Sequence, residues 1–587
     1  FTDFDIQKIL YLDATFVALK AVMIVLKWYR IQDLPIHWSY RIKRDEIALV
    51  TDYNINDVLG TDALVKNQQK ELDKLSEMYA IDLRNMSRSS IGKNLMTKFY
   101  SEWSGMPPYE FVDLRTERSA VPIGKVVKDS IQFKTPFYRK ILESIQRYSI
   151  YIGLGSPKQS ELKRESIANG IVVTTWRKSF QSLEFLSHDK GYTMAKGGLH
   201  SKDDPRVIWA ESGEILADPD VNSMYPSFIV EYGVSPHHLS SKVFLGIVEW
   251  LRTTRLDAKH SGRKLEADAL KIVINRIYGA LNDAMDYLYD PECTYTVTIN
   301  LQLLLCNLIE AFELNNFDVL SANTDGLLVR LPISRKDTFE HICKEWEDYS
   351  KLTLETEKFE KYCRSAVNDY IAVGYGFYDA LQEYNRCGVW IDSKGNTYTT
   401  RQAIEDKFIK FKGYFLQDPE YNKGFVYPVV KKALKEYFLY GVDITEFIRN
   451  YINTSRTAIY DYCFSQKVAG KYTTIYKTVR DGKPVYIKCQ KHNRFYICKS
   501  GGGAITKAIV PDSDNIAYGD DISGIVVEEE KSLVAGQKVA LFNDYEYKED
   551  YNLNYGFYIN EAYKILYGNG KTGKGERRGI NNNSNNL

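Results

Sequence analysis

The chain is poor in residues that would cross-link it or hold a zinc ion. Its 587 residues include only 8 cysteines, 8 histidines and 16 prolines. The cysteines have no paired spacing, which argues against a disulfide framework and fits a reducing compartment. The tightest group, Cys489, His492 and Cys498, offers three ligands where a zinc site usually needs four. We therefore predict that these are ordinary strand residues.

The sequence also lacks a long apolar run and an excess of either charge. The nearest candidate for a membrane span, FVALKAVMIVLKW, is short and carries Lys20 and Lys27, so it predicts an amphipathic helix. No signal peptide is visible, and we expect a protein that is not secreted and has no membrane partner. The net charge of +1 gives no indication of a partner, so a nucleic acid would have to be bound by local basic clusters.

Several domains are expected at this length. Helical patterns dominate to about residue 150, including the amphipathic stretch DVLGTDALVKNQQKELDKLSEMYA, and strand patterns follow between 168 and 230. Further along, the patterns predict helices at 241–282 and near 335–350, a hairpin at 317–331 and a strand at 369–373. The tail GERRGINNNSNNL is of low complexity and predicted to be disordered.

Two segments place carboxylates beside apolar strands. In ADPDVNSMYPSFIVEYG, an apolar strand leads into Asp218 and Asp220, and oxygen ligands of this kind suit a hard divalent cation. In FDVLSANTDGLLVRL, the Asp325-Gly326 pair between apolar runs is a strong hairpin signal. A hairpin tip can bring its carboxylate to a neighbouring strand. Phosphoryl transfer with two metal ions needs two such carboxylates, and Asp220 and Asp325 are the candidate pair.

A third segment, ALKIVINRIYGAL, places polar side chains on one face of a helix. Lys271, Asn275 and Tyr278 stand at i, i+4 and i+7. Upstream, Arg255 and Lys259 form another i, i+4 pair. Together these cations could clamp a triphosphate. The alternative is a solvated basic face, which the Arg255 and Lys259 pair taken alone would favour.

In this order and at these spacings, the segments resemble the motifs of the family B DNA polymerases, most closely the phage-type enzymes. Residues 220–227 (DVNSMYPS) match the first palm motif, D-x-x-S-L-Y-P-S, and residues 271–279 match the fingers motif, K-x3-N-x2-Y-G. Residues 321–326 (SANTDG) match the second palm motif, Y-x-D-T-D-S. KGGLHS resembles the Gly-Gly motif that contacts template, VNDYIAV the K-x-Y strand, and KFKGYF the palm–thumb junction.

The resemblance implies a role for each matching residue. Asp220 and Asp325 would hold two Mg²⁺ ions, replaceable by Mn²⁺, with the Val221 carbonyl as a further ligand. Tyr225 would lie under the sugar and exclude a 2′-OH. The triphosphate would be gripped by Arg255, Lys259 and Lys271, the last being counted as catalytic, and the other nucleotide-binding residues would be Ser223, Asn275, Tyr278 and Gly279. Contacts with DNA would come from Gly197, Gly198, Tyr370, Lys410 and Lys412.

The implied architecture is a multidomain α+β right hand with a partial RNase H-like exonuclease domain. The palm would contain an antiparallel sheet and the fingers would be helical. The expected boundaries are the C-terminal part of the exonuclease domain at 1–105, a joining region at 106–190, palm at 191–240 and 283–375, fingers at 241–282, thumb and C-terminal region at 376–570 and a disordered tail at 571–587.

The chain departs from the family pattern at three positions. Asn323 replaces the first aspartate of the second palm motif, Gly326 replaces its serine, and Asn368 replaces the lysine of K-x-Y. By the resemblance, the direct metal ligand of that palm motif is its second aspartate, which is present as Asp325. We therefore expect activity to survive, while the loss of a lysine at 368 should weaken primer binding more than chemistry.

Only part of an exonuclease site can be recognised. Tyr53 and Asp57 resemble the third exonuclease motif, Y-x3-D, and Asp5 in FTDFD is a candidate remnant of the second. The D-x-E pair of the first motif is absent, and one or two carboxylates cannot support a two-metal nuclease. We expect proofreading only if a longer N-terminus or a separate exonuclease fragment supplies the other ligands.

The expected function is DNA-directed DNA synthesis on primer–template DNA with dNTPs, helped by replication accessory proteins, in the cytoplasm of a bacterial host as a phage-encoded protein. Only 51 residues separate Asp220 from Lys271 and 54 separate Lys271 from Asp325, which leaves no room for the insertions of protein-primed relatives. The primer should therefore be a nucleic acid. The alternatives are a polymerase-shaped DNA-binding scaffold whose site has decayed, favoured by Asn323 and Asn368, and a nuclease, for which Tyr53 and Asp57 are too little.

Overall fold

The structure, a computed structural model, describes residues 18–36, 40–83, 86–168, 170–416, 427–468 and 470–567. Contacts divide the chain into two compact units, one of Phe1–Ser87 with Tyr414–Leu587 and the other of Arg88–Gly413. Both units mix helices and strands, so the α+β expectation is confirmed. Asp5 and the tail at 571–587 lie outside the described residues.

The first unit begins with two helices, α1 (Leu19–Val25) and α2 (Ile47–Tyr79). Both amphipathic helices predicted in this region are confirmed. Helix α2 ends at Ala80, whose φ of 51° lies in the left-handed region that stops a helix. Gly60 of α2 faces Met23 of α1, and a Cβ at this glycine would lie 2.7 Å from the Met23 Cε atom. The glycine therefore lets the Met23 side chain pack directly on α2.

The second unit carries the helices predicted before about residue 150, at 241–282 and near 335–350, together with four that the patterns did not indicate. In chain order, the helices of this unit are α3 (Arg88–Ser104), α4 (Ile123–Val126), α5 (Pro136–Ile145), α6 (Met224–Glu231), α7 (Ser241–His260), α8 (Lys264–Leu281), α9 (Pro291–Leu314), α10 (Lys336–Ser350), α11 (Phe377–Cys387) and α12 (Arg401–Phe408). The four that the patterns did not indicate are α6, α9, α11 and α12. The helical region predicted at 241–282 is thus two helices, α7 and α8, and α3 packs against both. Gly92 of α3 lies directly on Arg276 of α8, where a Cβ would approach the Arg276 Cβ to 2.7 Å.

Helix α9 is the central helix of the second unit. It begins with Pro291 behind Asp290, whose carboxylate accepts a hydrogen bond from the Glu292 N–H at 3.1 Å. By length and composition α9 could cross a membrane, so the expectation that no run in the chain would qualify is wrong. Its most apolar 18-residue window is 78% buried inside the protein, as in a core helix.

The strands of the second unit are β1 (Ala120–Pro122), β2 (Ser149–Tyr151), β3 (Lys163–Ala168), β4 (Ile171–Trp176), β5 (Ser179–Ser187), β6 (Lys190–Ala195), β7 (Leu199–Ser201), β8 (Arg206–Trp209), β9 (Glu214–Val221), β10 (Asp318–Asn323), β11 (Gly326–Pro332), β12 (Leu354–Ala366), β13 (Asp369–Gly374), β14 (Trp390–Ile391), β15 (Thr397–Tyr398) and β16 (Ile409–Lys412). The hairpin predicted at 317–331 and the strand predicted at 369–373 are confirmed as β10–β11 and β13.

Fourteen of these strands form one sheet with the order β1-β2-β5-β6-β7-β10-β11-β9-β12-β13-β16, to which β4 adds on β5, β3 on β4 and β8 on β12. Strand β9 therefore lies between β11 and β12. Leu216 of β9, Leu328 of β11 and Phe359 of β12 are buried together in one core cluster. This core fixes the register of the three strands, because a slip of one residue would turn the apolar side chains away from it.

The first unit continues with α13 (Pro428–Tyr440), α14 (Ile444–Asn450), β17 (Cys463–Lys467), β18 (Thr473–Arg480), β19 (Lys483–Cys489), β20 (His492–Cys498), β21 (Ala504–Ile509), β22 (Glu528–Ser532), β23 (Lys538–Leu541) and α15 (Tyr555–Tyr567). Its strands form two sheets, β17-β20-β23 and β19-β18-β21-β22. Cys489, His492 and Cys498 are strand residues, as predicted, and the cysteines of the chain are free thiols.

Arg494 of β20 is the largest fully buried side chain of the first unit. Its guanidinium donates to the carbonyls of Trp28 at 2.7 Å, Phe542 at 2.7 Å and Asn543 at 3.1 Å. It also lies 4.6 Å from the ring centroid of Tyr460. The planar, five-donor guanidinium thereby ties the segment after α1 to the C-terminal strands.

Arg494→Lys should lower the free energy of unfolding by about 1–3 kcal/mol, because an ammonium group cannot reach carbonyls in three directions and leaves some of them buried without a donor. Urea unfolding followed by circular dichroism measures this loss. Arg480→Lys, at the exposed end of β18, is the matched control and should change stability by less than about 0.5 kcal/mol. Equal effects of the two substitutions would contradict the assigned role of Arg494.

Candidate active site on the central strands

Asp220 stands near the end of β9 on the same side of the strand as Asp218. The sequence predicted an apolar strand leading into these residues, and β9 runs through both to Val221. Asp220 is paired with Gly326 of β11 on one side and with Glu355 of β12 on the other. The central position of β9 therefore gives Asp220 neighbours on two strands.

Asp325 lies at the tip of the β10–β11 hairpin. Asn323 pairs with Gly326, so Thr324 and Asp325 form a two-residue turn. The Asp325 carbonyl accepts a hydrogen bond from the Val221 N–H at 2.8 Å, and a Cβ at Gly326 would lie 3.1 Å from the Asp220 Oδ1 atom. The hairpin thus places Asp325 beside Asp220, and the glycine at 326 leaves space for the Asp220 carboxylate.

The carboxylates of this site are hard to ionise in the absence of a cation. Burial, reinforced by the negative charge of Asp325, raises the pKa of Asp220 to about 7. Burial also raises the pKa of Asp218 to about 7, against the opposing effect of Lys410. The pKa of Asp325 is raised by burial as well, and Lys412 opposes the rise. A bound cation would strongly stabilise the ionised form of these buried carboxylates.

Two lysines of β16 bring positive charge to the same face of the sheet. Lys412 is paired with Tyr370 of β13, and Lys410 with Ala372. The Lys410 ammonium donates to Glu357 at 2.8 Å, and Lys412 lies 5.8 Å from the centroid of the Tyr370 ring. The predicted DNA-contact residues Tyr370, Lys410 and Lys412 therefore stand together, on the second and third strands from that of Asp220.

The donor set fits a hard divalent cation. Asp220 Oδ1 is buried and has no hydrogen-bond partner. A buried carboxylate oxygen without a donor is costly unless a cation meets it. Asp220 and Asp325 supply the oxygen ligands that Mg²⁺ and Mn²⁺ prefer, and the neighbouring Val221 carbonyl is of the same type.

A different group in the second unit contains three residues of metal-ligand type, His237, Asp290 and Cys293. There the imidazole Nδ1 lies 2.6 Å from an Asp290 carboxylate oxygen, and Arg118 approaches the same carboxylate to 3.4 Å. Asp290 also caps α9. These protein donors already satisfy the carboxylate, so this group does not have the unpartnered oxygen that marks Asp220.

Helices α6, α7 and α8 present the predicted nucleotide-binding residues. Tyr225 of α6 stacks on Tyr278 of α8, with ring centroids 4.2 Å apart and planes 11° apart. Burial, reinforced by the charge of Asp325, raises the pKa of Tyr225 to about 12. Arg255 donates to the Ser223 hydroxyl at 3.0 Å. These contacts connect the helices to the carboxylate site.

The cations of α7 and α8 differ in their surroundings. Lys259 forms an exposed ion pair with Glu355 at 3.1 Å, and Glu355 is the residue paired with Asp220 across the sheet. Lys271 and Asn275 are exposed on α8, and Gly279 is exposed near the end of that helix. The helical face predicted from the sequence is therefore polar and accessible at Lys271 and Asn275, and half-buried at Tyr278.

The turn between β6 and β7 lies against the hairpin tip. The Thr324 N–H donates to the Leu199 carbonyl at 2.8 Å, and the Thr324 hydroxyl lies 3.1 Å from His200 Nε2. Gly198 is buried and Gly197 is exposed. The Gly197 carbonyl accepts a hydrogen bond from the Tyr225 hydroxyl at 3.4 Å.

Sequence reasoning missed His200 and Glu355. His200 is the fifth residue of KGGLHS, and its signal was an imidazole two residues after a Gly-Gly pair. Glu355 belongs to the alternating stretch LETEKFE of β12, in which Glu355 and Glu357 face the same side as Asp220 and Asp218. Only the strand pairing shows that these two residues lie next to Asn323 and Asp220.

Tyr53 and Asp57 lie one turn apart on α2 of the first unit, as predicted. Asp57 forms an ion pair with the buried Lys20 of α1, whose ammonium also lies 4.7 Å from the centroid of the Tyr53 ring. Burial and the hydrogen bond with Asp57 raise the pKa of Tyr53 above its usual range. The charge of Asp57 is therefore neutralised within the protein.

Asp218→Asn should stabilise the metal-free protein more at high pH than at low pH. The carboxyl has a raised pKa, so between pH 4 and 7 the unfolded chain ionises it while the folded site does not, and stability falls through this window and stays low above it. Asparagine removes this loss, and the gain should be about 2 kcal/mol larger at pH 8 than at pH 4.5. Thermal unfolding in a chelating buffer measures the difference, with the exposed Asp129→Asn as control. A gain that does not depend on pH would contradict the assignment.

Comparison with known proteins finds relatives over part of the chain. No family model matches the chain. A DNA polymerase of Thermococcus gorgonarius is 28% identical over 203 residues, covering 28% of this chain and 26% of that protein. A DNA polymerase of Thermococcus sp. (strain 9oN-7) is 25% identical over 247 residues, covering 34% of this chain and 31% of that protein.

The aligned part of the chain therefore spans less than a third of these curated relatives. Among solved structures, the family B DNA polymerase of Pyrobaculum calidifontis aligns with a TM-score of 0.38 and 12% identity over 90% of this chain and 57% of that one. Over the stretches that align with the two Thermococcus proteins, the chain is similar to DNA polymerases, as the sequence motifs predicted.

Proposed function

We propose that the chain is a DNA-directed DNA polymerase of phage type that adds deoxynucleotides to the 3′-OH of a nucleic-acid primer. The observation that carries the proposal is the carboxylate pair, Asp220 on β9 and Asp325 at the hairpin tip, with a buried Asp220 oxygen that lacks a hydrogen-bond donor. Relatives named DNA polymerase support the same reaction. The exposed cation Lys271 and the half-buried Arg255 on the adjacent helices match a triphosphate substrate.

In this function Asp220 and Asp325 hold two Mg²⁺ ions, with the Val221 carbonyl as an additional ligand. Bound there by Asp220 and Asp325, such ions would supply Lewis-acid activation of the primer hydroxyl and charge neutralisation for the pyrophosphate. The raised pKa values of the carboxylates mean that cation binding also displaces protons from the site, so affinity for Mg²⁺ should rise with pH.

The helices beside the carboxylates bind the incoming nucleotide. Arg255, Lys259 and Lys271 neutralise the triphosphate charge from α7 and α8. The Tyr225 ring forms the floor under the sugar, where a 2′-OH would collide with it. Asn275, Tyr278 and Gly279 shape the surface under the nascent base pair, and closure of these helices around a correct pair completes the site.

Primer and template lie over β13, β16 and the β6–β7 turn. Lys410, Lys412 and Tyr370 supply primer contacts, and the two lysines provide positive charge that Asn368 does not. Gly197, which is exposed and has open space above its Cα, suits a close approach by the template backbone. Proofreading would require further carboxylates beside Tyr53 and Asp57.

Asp325→Ala should reduce primer extension by about 10²–10³-fold or more, since it removes half of the metal-binding pair. The assay is extension of a labelled DNA primer on a template with Mg²⁺ and dNTPs. Asn323→Asp is the matched variant of the same turn and should leave synthesis working or improve it, because it restores the family carboxylate without removing a ligand. Normal extension by Asp325→Ala would show that the site is wrongly assigned. A wild-type chain that binds primer–template and adds nothing would support the decayed scaffold instead.

Glu355→Gln should lower the KM for dNTPs by up to about 5-fold, because Glu355 competes with the triphosphate for Lys259 through an exposed pair worth about 0–1 kcal/mol. Lys259→Ala should raise the KM. Single-nucleotide incorporation at low salt measures both, and the effect should shrink as ionic strength rises. Glu529→Gln, in the exposed Lys471–Glu529 pair of the first unit, is the control. A higher KM for Glu355→Gln would mean that Glu355 assists nucleotide binding.

A further inference from the structure

We propose that residues 197–200 act as a clamp that holds the hairpin tip, residues 323–326, in a strained conformation and so positions Asp325. Gly198 and His200 are then positioning residues for the carboxylate pair. This inference rests on the proposed function and adds to it a role for the Gly-Gly segment, which the sequence resemblance connects only with template DNA.

The tip needs such support because Thr324 has a φ of 39°. A β-branched residue is rarely found at positive φ, since its side chain collides with the backbone. Strain of this kind costs about 1–3 kcal/mol and persists only where the surroundings enforce it. The turn is also tight, with the Asp325 N–H donating to the Asn323 carbonyl. Without external contacts the tip would relax and move the Asp325 carboxylate.

The contacts that fix Thr324 come from Leu199 and His200, in addition to the bond from the Val221 N–H to the Asp325 carbonyl. The Thr324 N–H donates to the Leu199 carbonyl at 2.8 Å, and the Thr324 hydroxyl meets His200 Nε2 at 3.1 Å. His200 is also the residue paired with Asn323 where β7 meets β10. Main chain and side chain of Thr324 are therefore both fixed from the same neighbouring segment.

The two glycines of the segment have different surroundings. A Cβ at Gly198 would lie 3.1 Å from Thr324 Cγ2 and 3.2 Å from Thr324 Oγ1, whereas a Cβ at Gly197 would meet no atom within 4 Å. Gly197 is thus free to face DNA. Gly198 makes room for the Thr324 side chain that packs on the turn. The two glycines therefore have different roles, Gly197 toward DNA and Gly198 toward the hairpin.

The clamp is itself anchored to the core of the second unit. The Ala195 N–H donates to the Gly198 carbonyl at 3.1 Å, which closes the turn, and Gln302 of the buried helix α9 donates to the Ala195 carbonyl at 2.9 Å. On its other side the Gly197 carbonyl accepts from the Tyr225 hydroxyl. One short turn therefore connects the central helix, the Asp325 hairpin and the nucleotide-site tyrosine.

The test separates turnover from binding. Gly198→Ala should lower kcat for single-nucleotide addition by about 10–100-fold, because a small displacement of a reacting group has effects of this size. The KM for dNTPs and the Kd for primer–template should stay within about 3-fold. Thr324→Ser, which removes the crowded methyl, should restore part of kcat when combined with Gly198→Ala. Gly155→Ala, at an exposed glycine with open space around it, is the control for adding a methyl group.

Variants of His200 test the same clamp if Gly198→Ala fails to fold. His200→Ala should lower kcat, and His200→Gln, whose amide can replace Nε2 in the hydrogen bond, should retain more of it. Binding of Mn²⁺, followed by isothermal titration, should weaken in the order wild type, His200→Gln, His200→Ala. This readout does not depend on synthesis.

The outcomes separate the two proposals. A Gly198→Ala enzyme that turns over normally at saturating DNA but binds DNA weakly would overturn the clamp and leave the segment as a DNA contact. Equal kcat and Mn²⁺ affinity for His200→Ala and His200→Gln would also overturn it. A wild-type chain that makes no DNA contradicts the proposed function, and the Mn²⁺ titration then still decides whether the clamp positions Asp325.

Discussion

Everything at the centre of the second unit depends on holding two carboxylates side by side in a half-buried place. Two like charges 4 Å apart near a protein surface repel by about 4 kcal/mol, and burial adds to this penalty. Two effects reduce this penalty. The lysines of β16 supply positive charge, and the raised pKa of Asp220 allows its carboxyl to stay protonated. The sheet leaves one Asp220 oxygen without a protein donor. The folded protein tolerates this carboxylate pair, and a bound cation would stabilise it further.

The strand order explains why the pair can exist at all. Asp220 stands on a strand covered on both sides, so its position is fixed by the core residues Leu216 and Phe359 rather than by the loop that follows. Asp325 stands at a hairpin tip, which no core residue fixes. The two carboxylates therefore need different supports, the core register for Asp220 and local contacts to Thr324 for Asp325. The strained φ of Thr324 marks the point where the second kind of support is required.

Local signals allowed much of this to be predicted. The Asp325-Gly326 turn, the helical face of Lys271 and Asn275, and the long helix carrying Tyr53 depend on neighbours within a few residues, and each formed where the pattern indicated. What could not be predicted depends on strand pairing across long sequence distances. His200 meets Asn323 and Glu355 meets Asp220 only after the sheet has assembled. The length and apolar composition of helix α9 were visible in the sequence and were overlooked, whereas its burial as a core helix depends on the packing of the whole unit.

The same reasoning clarifies why asparagine at 323 is compatible with the site. Without bound cations, a third carboxylate at the tip would add to the repulsion between Asp220 and Asp325, a cost that cations would offset, and it would lie opposite His200, whose pKa is lowered by burial and by Lys412. A neutral amide keeps an oxygen acceptor at this position without the charge. The neighbouring acid that does remain, Glu355, is paired with Lys259. In the nucleotide-free protein Glu355 and Lys259 thus neutralise each other beside the pair, and a triphosphate would take over Lys259 from Glu355.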